Sequence, residues 1–137
     1  MPGCVLRAAG QDFLVDDFLA PSPLTPCSVW RRGQARTRHR PPHEDSGFNV
    51  VVSDAPGDDL PAQVEDAIQF LAAHHAELTR LMASSGMDGA VLDFGIERRD
   101  VVVQCDTLPA PLIRLAGELG LAIEISLYPE THDMDEL

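Results

Sequence analysis

Between Phe48 and Tyr128 the spacing of apolar residues switches from two to three or four and back, twice in 81 residues. Strands place alternate side chains on one face, whereas helices place every third or fourth residue on one stripe. Few ways of burying both patterns together exist, and all of them layer helices on a sheet. Phe48-Asn-Val-Val-Val-Ser53 is β-branched and bounded by turn residues, and it predicts a strand. Leu60, Val64, Ala67, Ile68, Leu71, His75, Leu78 and Met82 predict one amphipathic helix over 60–84. Asp58 and Asp59 precede it as caps, and Pro61 suits its first turn.

A strand is expected over 90–96, with Ala90, Leu92, Phe94 and Ile96 on one face. The valine-rich 101–105 segment reads as a strand that pairs back on it through a hairpin. Thr107 reads as the cap of a helix that ends near Leu119, with Gly120 as its stop. Leu121, Ile123, Ile125 and Leu127 then alternate with Ala122, Glu124, Ser126 and Tyr128. The order strand, helix, strand, strand, helix, strand is that of a split βαβ, ferredoxin-like α+β sheet with its helices on one face.

Ahead of this 48–128 core, residues 3–9 read as an edge-type strand, Asp12 as the cap of a short helix to Leu19, and 27–32 as a second strand. The expectation is therefore a single domain over 1–137 with an N-terminal strand-helix-strand extension. Residues 33–47 read as a mobile arginine-rich loop and 129–137 as an acidic tail.

Leu24-Thr-Pro26 followed by Trp30-Arg-Arg-Gly33 resembles a stretch of the bacterial family known as domain of unknown function 4279. The Ser46-Gly-Phe48 strand entry and the ending Leu112-Ile-Arg-Leu-Ala116, Leu119-Gly-Leu121, Ile123-Glu-Ile125 and Tyr128 are similar to it as well. The resemblance spans roughly residues 4 to 128. It implies a ferredoxin-like fold and supplies no reaction. Its accessory or immunity-type members imply binding rather than catalysis.

Charge and cysteine content narrow the function classes. Formal net charge is -12, and all ten basic residues are arginine. Such acidity opposes nucleic-acid phosphate and suits a basic protein partner. Alanine- and arginine-rich usage without lysine suggests a GC-rich bacterial source. The three cysteines, Cys4, Cys27 and Cys105, lack disulfide or zinc spacing, so reduced thiols in the cytoplasm are expected. The N-terminus does not read as a secretion signal, and no apolar run suits a membrane span, so no membrane association is expected. No phosphate-cradling glycine loop, nucleophile elbow or metal-ligand spacing is legible, so neither cofactor nor metal is expected.

Two places invite a functional reading. Arg31, Arg32, Arg36, Arg38 and Arg40 concentrate half of the positive charge beside Trp30. Their guanidinium forks suit carboxylate or phosphate, although they could equally fold back on the protein's own acids. His75, within the apolar stripe, reads first as a partnered core or interface residue and second as an acid/base group. The leading expectation is a non-catalytic protein-interaction domain using the open sheet face or the arginine loop. The alternatives are a small-anion-sensing regulatory module and an enzyme with a cleft histidine. A homodimer paired sheet on sheet, burying Val51 and Val102, is also expected.

Overall fold

A computed structural model of the chain describes residues 3–129. Its elements are β1 (Gly3–Gly10), α1 (Val15–Leu19), β2 (Ser28–Trp30), β3 (Ser46–Ser53), α2 (Leu60–Ala73), α3 (His75–Met82), β4 (Gly89–Glu97), α4 (Ala110–Leu119) and β5 (Ala122–Tyr128). They form an α+β fold with one mixed sheet in the order β2-β3-β1-β4-β5. Only the β4–β5 pair is parallel; β1 runs antiparallel to both β3 and β4.

The core lies on one face of this sheet. Cys4, Leu6 and Ala8 of β1, Phe48 and Val50 of β3, and Ala90, Leu92, Phe94 and Ile96 of β4 alternate onto it and are buried. They meet Val64, Ala67 and Leu71 of α2, Leu78 and Leu81 of α3, and Leu112, Ala116 and Leu119 of α4. Burying each of these large side chains stabilises the fold by about 1.5–3 kcal/mol before entropy is charged against it. Among the described residues, no helix packs on the opposite face of the sheet.

The N-terminal strand is the centre of the sheet, not its edge. β3 and β4 run parallel to each other with β1 between them, so the split βαβ exists, but its middle strand comes from the N-terminus. This also removes the expected hairpin. β4 already has β1 on one side and β5 on the other, so residues 101–105 cannot pair back on it. They form an ordered loop instead, in which Gln104 Nε2 donates to the Glu97 carbonyl and Arg99 pairs with Asp106. Val101, Val102 and Val103 are exposed there. The sheet-on-sheet dimer thus loses Val102 from its surface, while Val51 remains exposed on the bare face.

The expected 60–84 helix is two helices. His74, with φ −108° and ψ 21°, leaves helical geometry, and its ring rests 4.6 Å from that of Phe70. The break turns α3 relative to the straight stripe, so that Leu81 enters the core and His75 is exposed. It also brings Arg80 to α1: its guanidinium lies 4.0 Å over the Phe18 ring and donates to the Phe18 carbonyl. The Glu77 carboxyl is held below the usual carboxylate range by its hydrogen bond from Arg80, helped by Ser22.

Caps follow the sequence in part. Asp59 accepts from the Ala62 N–H at the start of α2, and Gly120, with φ 77°, closes α4 in the left-handed region that favours glycine. Asp12 and Thr107 do not cap: α1 starts after Leu14, and α4 starts after Pro109. The alternation over 121–127 also buries less than expected. Ile125 and Leu127 lie on the helix side, paired with Phe94 and Ile96, yet they are 41% and 60% exposed, because β5 is an outer strand. The 129–137 tail lies outside the described residues except for Pro129.

Candidate interaction face

The uncovered face is built from the other half of each strand's alternation. β1 presents Val5, Arg7 and Ala9 there; β3 presents Gly47, Asn49 and Val51; β4 presents Gly89, Val91 and Asp93; β5 presents Ala122, Glu124 and Ser126. Arg7, on the central strand, reaches over β4: one of its terminal nitrogens stands 3.1 Å from Asp93 and 2.6 Å from Glu124. Ser126 donates to the second Asp93 oxygen at 2.7 Å. The result is one cation shared by two carboxylates across three strands, a half-exposed network with acid in excess.

Beside it the face turns aromatic. Trp30 ends β2 and lies across Gly47, where a Cβ would stand 2.6 Å from its ring. Only glycine allows that approach. The indole N–H donates to Asp45 at 2.8 Å, and the ring stacks on His43 at 6.1 Å. Trp30, Arg7, Ala9, Val91 and Ala122 line a shallow groove of about 420 Å3 along the face. The Asn49 side-chain oxygen, on the β3 residue paired with Arg7, is buried without a hydrogen-bond partner among the described residues. A groove with a fixed indole and a small-residue floor, with Asp93 and Glu124 beside it on the same face, suits a cationic or mixed apolar-cationic segment.

The arginine segment is folded differently from a free basic loop. Arg31 grips Asp16 with two bonds, 2.8 and 2.7 Å, and that hydrogen bonding holds the Asp16 carboxyl below its ordinary range. Arg32 pairs with Asp12 at 3.0 Å, and its N–H donates to the Ser46 hydroxyl. Arg36 donates to His43 Nδ1, the same ring that backs Trp30. Gly33 and His43 are joined through a backbone bond of 2.8 Å. Among the described residues, no carboxylate pairs with Arg38 or Arg40. Trp30 is therefore brought to the bare face, Arg31 to α1, Arg32 to Asp12 ahead of α1, and Arg36 behind Trp30, while Arg38 and Arg40 stay at the loop tip.

His75 joins none of these. It is exposed at the start of α3, and its exposure removes the enclosed polar environment that a cleft histidine would need. Among the described residues, no three histidine, cysteine or acidic side chains converge as a metal site, and no helix is long and apolar enough to cross a membrane.

The profile of the family described as Domain of unknown function (DUF4279) matches residues 3–130. The chain belongs to the DUF4279 family. No curated protein and no solved structure matches the chain. For this DUF4279 member, the match covers every strand that builds the bare face, β1 included. Arg7, Asp93, Glu124 and Ser126 were missed by sequence reasoning. The available signal was a polar or charged residue at the odd positions of three strands, but which strands adjoin is not written in any of them.

Proposed function

We propose that the protein is a non-catalytic interaction module that receives a basic segment of a protein partner on the bare face of its sheet. The observation that supports this most is the groove beside Trp30: an indole fixed by Asp45 and His43 borders a small-residue floor, and on the same face the Arg7 that lines the groove is outnumbered by Asp93 and Glu124 beside it. Fixed tryptophans are common anchors of binding energy, and a net charge of -12 steers a basic partner toward the molecule. An immunity-type role against a basic toxin is one form of this reading. A bacterial, cytoplasmic setting is part of the same proposal, supported by the exposed thiols of Cys27 and Cys105.

The test uses the full chain as bait in a lysate of its source, beside Trp30→Ala and Val91→Arg. A bound protein is expected to be lost from both variants, with affinity falling roughly tenfold or more. It is also expected to be released by salt. Equal retention by all three baits would remove the groove from consideration.

A small-anion sensor is favoured by one observation: Arg38 and Arg40, at the loop tip, pair with no carboxylate among the described residues. Phosphate and citrate should then raise the melting temperature of the wild type and not that of an Arg36/Arg38/Arg40→Ala variant. No shift in either protein would discard this option.

A further inference from the structure

We propose that β5 pairs with the β5 of a second copy of this chain, antiparallel and centred on Ile125, so that two sheets become one. Among the described residues the sheet has two outer strands. β2 has three residues, whereas β5 has seven and pairs, among those residues, with β4 on one side only. Long outer strands are templates for pairing unless charge, proline or a bulge guards them. The one charge on β5 does not guard it. Arg7 draws the Glu124 carboxylate inward, across β4, at 2.6 Å.

The direction of the backbone groups fits the pairing. The Tyr128 carbonyl accepts from the Arg98 N–H at 2.7 Å, and Arg98 follows β4, so that carbonyl points inward. Backbone groups alternate in direction along a strand. Those of Ile123, Ile125 and Leu127 therefore point to the outer edge. In a two-fold pair centred on Ile125, Ile123 of one copy lies opposite Leu127 of the other, and the two Ile125 residues lie opposite each other. Each of these is then a hydrogen-bonded pair.

The side chains agree with the same register. On the helix side only Ile123, Ile125 and Leu127 meet, covering two residues that stand 41% and 60% exposed in the single chain. On the bare side Glu124 meets Ser126, and Ala122 meets Tyr128. A two-fold axis normal to the sheet keeps both helix layers on one side, so the centre can move only in whole residues. Centring on Glu124 sets two carboxylates opposite each other. Centring on Ser126 puts Pro129, which has no N–H, opposite Ile123. Centring on Ile123 overlaps only residues 122–124 of each strand, and centring on Leu127 puts Pro129 opposite Ile125, so the Ile125 register avoids these costs while pairing all seven residues of β5. It is independent of the bare-face reading, but it would place two grooves side by side on one surface.

Light scattering and sedimentation of the full chain, from micromolar to about 1 mM, test this. The wild type is expected to be dimeric, and more so at higher salt, because two copies of charge -12 repel. Basic-partner binding weakens with salt, so the two readings fail separately. Ile125→Lys and Ile125→Glu should each raise the dimer dissociation constant at least roughly tenfold, and mixing the two should restore a heterodimer. Circular dichroism melts check folding, and Leu127→Lys, at a more exposed position, repeats the test should the Ile125 variants melt early. A wild type that stays monomeric throughout, variants that stay dimeric, or a mixture that fails to pair would each overturn the proposal.

Discussion

The two faces of the sheet share the same strands and the same backbone, but they solve opposite problems. The helix face holds Cys4, Leu6, Phe48, Leu92 and Phe94, all fully buried. The bare face holds Arg7, Asp93 and Trp30, tied by directional bonds and left in reach of water. One face carries the stability of the fold, and the other is the face proposed to receive a partner. A strand's period of two lets them vary separately.

The strongest way to break this contrast is within β4. Phe94→Ala should cost about 3–5 kcal/mol in urea unfolding, because it leaves a cavity among α2, α4 and the sheet. Val91→Ala, three residues away on the other face, should cost less than about 1 kcal/mol. Comparable losses would mean that the bare face is packed after all.

Gln63 sharpens the contrast at its boundary. It is a polar side chain within the dry layer, fully buried, and its Nε2 donates to the carbonyls of Gly95, Ala55 and Pro56. Gln63→Ala would leave those carbonyls unmet and should lower stability by about 2–3 kcal/mol in the same assay. Gln69→Ala on the exposed side of α2 should be near neutral.

Cys4 extends the contrast to pH. Burial, with Asp93 and Asp66 adding to it, pushes its thiol up to about 12 from an ordinary 9.0. The unfolded chain releases this proton first, so stability falls as pH rises from 9 toward 12, by roughly 1.4 kcal/mol per unit. The chain has no lysine and one tyrosine, and its two other thiols are exposed, so substitution can isolate the Cys4 contribution. Cys4→Ala should flatten the slope of urea midpoints above pH 9, while Cys27→Ala and Cys105→Ala, at exposed thiols, should not.

The smallest effect is expected at Arg7. Its network is part-exposed, so Arg7→Leu should change stability by no more than about 1 kcal/mol, and less at high salt. The same change should alter partner affinity much more than it alters the melting temperature.

The helix face was legible in the sequence because burial imposes a period. Leu92, Phe94, Leu112 and Leu119 lie where their spacing puts them. The bare face was not, because polar residues on a half-exposed strand follow no period until their neighbours are known. Arg7 and Glu124 are far apart in the chain and meet only because β1 and β5 flank β4. The arginine cluster showed as charge, while its pairing with Asp12 and Asp16 did not.

Local physics determined most of what the sequence could say by itself: where strands and helices run, that Asp59 and Pro61 start α2, and that Gly120 ends α4. Those signals act within a turn or two of chain. Strand order, the break at His74 and the release of residues 101–105 into a loop belong to the tertiary structure. Each depends on contacts between distant segments: β1 and β5 fill both sides of β4, and α3, turned at His74, sets Arg80 on Phe18 of α1. No local window of sequence contains such contacts.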